Sequence, residues 1–198
     1  MIYEFKGFKP VIHESSYIHQ QACIIGNVII GANVYIGPFA TLRGDIGGIV
    51  IEDGSNIQES CTIHMFPGVE VRLGENAHIG HGAIVHGATI GKNCLIGMNA
   101  VVMDNVVIGD ECVVGALTFI KANSVFENRK LIVGNPARVL KDITDDMIDW
   151  KTKGTQLYQQ LVIENHETLK ECEPLRSIPD NRPAQDHLYQ TWNEIKKQ

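Results

Sequence analysis

The sequence predicts an all-β chain, a parallel β-helix of hexapeptide repeats with a C-terminal α-helical appendage. Three observations carry that expectation. An aliphatic residue returns about every six positions from Ile30 to Val125. Glycine often follows it, and after about residue 145 the apolar spacing becomes helical.

The repeat justifies the first element. IGANVY, IGPFAT and LRGDIG open at Ile30, Ile36 and Leu42, and IEDGSN, IQESCT and IHMFPG open at Ile51, Ile57 and Ile63. LGENAH, IGHGAI and VHGATI follow from Leu73, and six more units run from Ile90 to Val125. Apolar residues at a period of six would drift around a helix. They suit a strand, a corner and another strand, with one aliphatic per unit pointing inward. Three units make a triangular coil of about 18 residues, and stacked coils bury a column of aliphatics. A chance run of Ile-Gly pairs does not explain so long a series. The β-helix is assigned to residues 1–140.

The appendage comes next. The repeat fades after Val125, and LIVGNPARVL reads as a closing turn because Gly134 and Pro136 break regular structure. Thr144 is a suitable N-cap, with Asp145 and Asp146 at the positive end of the helix dipole. Ile143 and Ile148 have the spacing of a hydrophobic staple. Leu157, Tyr158, Leu161, Val162 and Leu169 continue at helical spacing, with Gly154 as a break or kink. Residues 141–172 are thus one or two amphipathic helices lying on the coil wall. Residues 173–198 hold Pro174, Pro179 and Pro183, then an apolar pattern at Leu188, Trp192 and Ile195. They read as an arm that docks on a neighbouring chain or lacks order.

Composition narrows the function classes. The net charge is −6 and no basic run appears, so nucleic acid and anionic membranes are poor partners. No apolar run approaches a membrane span, and MIYEFKGFKP is unlike a secretory signal. Five cysteines without close pairing suit small buried hydrophobes in a reducing cytoplasm.

Function is expected where the repeat breaks its own rule. Position two of a unit is usually glycine, yet the central units place Arg43, Glu52, Gln58, His64 and His86 there. His64 and His86 are 22 residues apart, one coil of 18 plus a four-residue insertion in FPGVEVRL. They are expected on one face about 4.8 Å apart, close enough to share a Zn²⁺ at ~2.0–2.1 Å from each ring. His81 occupies position three on another face, so it joins them only from a neighbouring subunit. A threefold assembly would then hold three such sites. Three histidines around zinc leave a fourth position for water, the catalytic arrangement. Each histidine taken alone is more simply a surface residue at a strand corner. His78 reads as a corner residue facing solvent or supporting the site, and His13, His19, His166 and His187 as ordinary surface residues.

Neighbouring motifs extend the constellation. LRGD places Arg43 and Asp45 close enough for charge-assisted hydrogen bonds within or between chains. A merely solvated pair would contribute little. NIQES places Gln58 in the unit before His64, where its amide suits a bound water or a substrate carbonyl. Asn56 reads as a corner cap, and Glu59 is a candidate general base.

Together LRGD, NIQ, His64 and GHGAIVH resemble the γ-class carbonic anhydrase family, over about residues 10–140. The resemblance implies a left-handed coil and a homotrimer with Zn²⁺, Fe²⁺ or Co²⁺ at the subunit interface. It assigns the metal to His64, His81 and His86, the interface pair to Arg43 and Asp45, and the residue near the bound water to Gln58. GMNAVVMD, LIVGNPAR, WKTKGTQLYQ and EPLR resemble one branch more closely, the phenylacetate-degradation and carnitine-operon hexapeptide proteins. That branch implies coenzyme A thioester chemistry. The chain departs from the carbonic anhydrase pattern at Ile46, where a glutamate stands, and in MFPGVEVR, whose single acid is Glu70. Met65 and Phe66 instead offer apolar surface for an acyl group.

The expected activity is therefore a metal-dependent thioesterase acting on acyl-CoA. Hydration of CO₂ is the rival chemistry at the same site. CoA-dependent acyl transfer with a histidine base is a second class, and an accessory protein with a vestigial site is a third.

Overall fold

The computed structural model describes residues 1–185 and 189–195. His187 and Leu188 lie outside the described residues.

Short parallel strands stack into a solenoid with three faces. A histidine face carries Thr62–His64, Ile84–His86, Val101–Val102 and Phe119–Ile120. An open face carries Glu70–Leu73, Thr89–Ile90, Val107–Ile108 and Val125–Phe126. The third face holds seven parallel rungs, from Tyr17–Ile18 through Asn56–Ile57, His78–Ile79 and Leu95–Ile96 to Lys130–Gly134. The unit-opening residues Leu42, Ile51, Ile57, Ile63, Leu73, Ile79, Val85 and Ile90 point inward and are fully buried. Their column is the continuous core, and burying each such side chain contributes on the order of 1.5–3 kcal/mol.

Glycine at position two has a steric cause. A Cβ on Gly91 would stand 2.6 Å from the backbone carbon of Gly109, and one on Gly97 would stand 2.5 Å from the Ala116 nitrogen. Asn33, Asn76, Asn93, Asn99, Asn105 and Asn123 take left-handed φ values of 52–63°. Asparagine tolerates that region better than most residues.

Several expectations need correction. The repeat fades after Val125 but the coil continues, because Lys130–Gly134 adds a further rung pairing with Val113–Val114. Its Ile132 continues the inward column even though the six-residue spacing has slipped, while Leu131 packs outward under the helix. LIVGNPARVL is a hairpin rather than a simple turn, since Lys130–Gly134 pairs antiparallel with Ala137–Asp142. The long strand Thr41–Ile51 joins the histidine and open faces into one sheet, pairing with strands on both. No corner therefore separates Leu42 from Ile51 as the repeat requires elsewhere.

One helix, Asp145–Thr168, follows and lies across the third face, which we call the helix-covered face. Gly154 does not break the helix. Thr144 holds the N-cap position without a side-chain cap bond. Ile143 belongs to an apolar cluster with Val113 and Met147, and Ile148 packs against that cluster. Among the described residues no helix is long and apolar enough to cross a membrane. Cys61, Cys94 and Cys112 are buried as expected, whereas Cys23 is half-buried and Cys172 exposed.

Candidate functional site

The register brings His64 and His86 side by side, with His86 paired to His64 across adjacent strands. His64 Nδ1 lies 3.2 Å from His86 Nε2. The outer nitrogens meet carboxylates. His86 Nδ1 donates to Asp104 Oδ1 at 2.6 Å, and His64 Nε2 donates to Asp45 Oδ1 at 3.1 Å. Arg43 holds Asp45 Oδ2 at 2.7 Å and points a second nitrogen at His64 Nδ1, 3.3 Å away. Burial pushes the Asp45 carboxyl up, but hydrogen bonds from Arg43 and His64 outweigh it and keep it below the usual range.

Those outer bonds fix the tautomers. With each N–H directed at its carboxylate, the two facing nitrogens carry lone pairs and stand 3.2 Å apart, and Arg43 shares the one on His64. Two facing lone pairs repel unless a proton or a metal ion lies between them. Two ligands at ~2.0–2.1 Å from a tetrahedral ion stand roughly 3.3 Å apart, so this pair fits a divalent metal. Among the described residues no three His, Cys, Asp or Glu side chains of one chain gather around a single point. A metal held here would need a further ligand from outside this chain.

Sequence reasoning missed Asp104. The signal was present, since 104 − 86 = 18, one coil without insertion. Gly87 makes the contact possible, because a Cβ there would stand 2.7 Å from Asp104 Oδ1.

The remaining candidates lie elsewhere within the chain. His81 Nδ1 meets Glu59 Oε2 at 2.5 Å, and Tyr35 donates to Glu59 Oε1 at 3.2 Å. Gln58 is buried on the helix-covered face. Its Nε2 donates to Asn56 Oδ1 at 3.0 Å and to His78 Nε2 at 2.6 Å, and its Oε1 accepts from the His81 N–H at 3.3 Å. Within one chain, Gln58, Glu59 and His81 therefore form a cluster separate from His64 and His86.

Three side chains are not where the sequence suggests. Asn56 lies in a strand and is fully buried, so it caps no corner. Met65 is 0% exposed and belongs to the core, whereas Phe66 is 57% exposed and meets His86 edge-on at 5.1 Å. Phe66 alone can offer apolar surface at the site. His78 is turned under the C-terminal helix rather than to solvent, with Thr155 3.3 Å from its Nδ1.

Comparison with known proteins places this scaffold. The bacterial transferase hexapeptide family (six repeats) matches residues 9–44 and 87–122, and the hexapeptide repeat of succinyl-transferase matches 70–103. Carnitine operon protein CaiE of Escherichia coli O157:H7 is 48% identical over 91% of this chain and 92% of its own. CaiE of Shigella flexneri matches to the same extent. A hexapeptide transferase family protein from Anaplasma phagocytophilum has a TM-score of 0.79 at 29% identity, covering 82% of this chain and 96% of its own. A Bacillus cereus protein described as a candidate acetyltransferase has a structure with a TM-score of 0.81 at 30% identity, covering 82% of this chain and 94% of its own. The carbonic anhydrase side of the resemblance is carried by the motif residues alone. On repeat, scaffold and near full-length identity together, the chain belongs to the bacterial hexapeptide-repeat transferase family, with the carnitine operon proteins CaiE as homologues.

Proposed function

We propose that this protein handles acyl groups carried as coenzyme A thioesters, with the His64–His86 column at the reacting centre of a homotrimer. The observation that carries the reading is the His86–Asp104 contact of 2.6 Å. It leaves His86 Nε2 a lone pair, which is what a general base requires. In acyl transfer the acceptor's hydroxyl or amine attacks the thioester carbonyl. Its proton passes to His86 Nε2, and Asp104 stabilises the resulting imidazolium. The C–S bond breaks, and the departing thiolate takes the proton back. Family membership supports transfer, as does the acetyltransferase description of the Bacillus cereus relative. The name of the CaiE homologues makes carnitine metabolism the favoured context.

A second reading is favoured by the facing lone pairs of His64 and His86. These two residues, with His81 of the partner subunit, would hold Zn²⁺, Fe²⁺ or Co²⁺. Such an ion supplies Lewis acidity and makes water acidic near neutral pH. The acyl acceptor is then water, and CO₂ hydration is the rival reaction. Phe66 offers the apolar contact that an acyl group needs and CO₂ does not.

Metal analysis of the purified trimer, with a panel of acyl-CoA esters assayed with and without amine or hydroxyl acceptors, tests both. Acceptor-dependent turnover that survives a chelator supports transfer. Chelator-sensitive turnover without an acceptor supports hydrolysis. Absence of both activities, with no metal in the purified protein, would make the chain an accessory protein.

A further inference from the structure

A second site lies on another face. Between the helix-covered face and the helix Asp145–Thr168 is a cavity of about 610 Å³. Its composition changes along the solenoid axis. The rungs at Gln58 and His78 give it a polar end, together with His81. The rungs at Leu95, Val113 and Leu131 give an apolar end, closed by Met147 and Trp150 of the helix. Lys151 stands at the step between the two, donating to the Asn76 carbonyl at 2.5 Å and to Asn93 Oδ1 at 2.7 Å.

Lys151 is the unusual member. It is 3% exposed, and among the described residues no carboxylate pairs with it. Two acceptors engage it, while an ammonium carries three donors. The titratable groups facing it supply no negative charge at neutral pH. His78 is held uncharged, its pKa pushed down to about 3 by burial and then by Lys151 itself. A hydrogen bond to Cys112 and burial push the Cys94 thiol well up. Burial lowers Lys151 to about 7. The cavity's other cation, Lys141, is exposed.

A long apolar space with one buried, uncompensated amine has the shape and charge of a complement to an amphiphilic anion. We propose that this cavity binds an apolar monocarboxylic acid, with its carboxylate paired to Lys151 and its hydrocarbon or aryl body between Leu95, Val113, Met147 and Trp150. Within one chain the Lys151 end of the cavity is separate from the His64–His86 column, and only His81 at its polar end is shared with the metal reading, so octanoate binding at Lys151 is tested without any assay of acyl-CoA turnover.

Binding is measured on the full chain by isothermal calorimetry, with octanoate and its uncharged counterpart 1-octanol as probes. Saturable octanoate binding is expected, at least tenfold tighter than octanol at pH 6. Above about pH 7 the amine must take up a proton to bind, so the octanoate Kd rises up to tenfold per unit while the octanol Kd stays constant. Trp150 and Trp192, the chain's two tryptophans, both line the cavity and report occupancy by fluorescence. Lys151→Met should abolish the preference for octanoate. Leu157→Phe narrows the space from the helix side and should weaken both ligands. If Lys151→Met does not fold, the pH profile and Leu157→Phe decide. No saturable octanoate binding, equal pH-independent affinities for the two probes, or indifference to Leu157→Phe would overturn the proposal.

Discussion

His86 and His78 sit on neighbouring faces, on consecutive strands of the chain, and their surroundings oppose each other. His86 is half-buried and donates to a carboxylate, Asp104, across 2.6 Å. His78 is walled in by the helix and faces a buried amine, Lys151, which with burial holds it neutral. One imidazole turns its inner nitrogen to His64 and its outer nitrogen to a carboxylate. The other meets Gln58 and Thr155 instead. Histidine content alone therefore says little about where chemistry occurs. The charge of the residue one coil or one helix away decides it.

The sharpest way to break this contrast is to remove each ring. His86→Ala should lower acyl-CoA turnover by about 10²–10⁴-fold with little change in the melting transition. His78→Gln should change stability and leave kcat nearly intact. Equal kinetic losses in steady-state assays would erase the distinction.

Next in size is the support of the active ring. Asp104→Asn cannot accept the Nδ1 proton as a charged partner. A loss of roughly 10–100-fold in activity or metal affinity is expected, as for other residues that orient a histidine. An unchanged rate and unchanged metal content would show that the 2.6 Å contact does not matter.

The buried cluster is sharpened by pH. The folded pKa of His78 is about 3 against an ordinary 6.5, so the unfolded chain binds the extra proton. Stability from this residue is full above 6.5 and falls by up to about 1.4 kcal/mol per unit as pH drops from 6.5 toward 3. Lys151 has a folded pKa of about 7 against 10.5. Here too the unfolded chain binds more protons, so stability rises from about 7 to 10.5. Urea unfolding across pH measures both slopes. His78→Gln should flatten the acid slope and Lys151→Met the alkaline one, and slopes that survive would refute these assignments.

Smallest is Gly154→Ala on the helix above the cavity. Alanine gains helix propensity worth about 1 kcal/mol, but its Cβ would stand 3.1 Å from Tyr189 Oη. Thermal melts should show a net change within about 1 kcal/mol in either direction.

The residues that the sequence paired most clearly are those related by the coil itself. The spacing of 22 residues, read as 18 plus an insertion, is the register that sets His64 beside His86. The same arithmetic applies to Asp104, an 18-residue step onto the next rung. Met65 was misread because the insertion after it suggested a loop, whereas strand alternation turns it into the core beside Gly47. Asn56 and His78 were misread for another reason. Their face is covered by a helix about 70–100 residues further on, and nothing local announces which face that helix will choose.

The amino-acid order by itself determined the solenoid, its inward aliphatic column and the vertical alignment of His64 with His86. These follow from backbone repetition, in which each residue's place depends on its neighbours at fixed offsets. Only the tertiary structure decided that Gln58 and His78 face inward under the helix and that Lys151 reaches Asn76 across 75 positions of sequence. Those contacts depend on how an amphipathic helix settles on one of three faces. That choice is set by burial summed over the whole surface, not by any periodic signal along the chain.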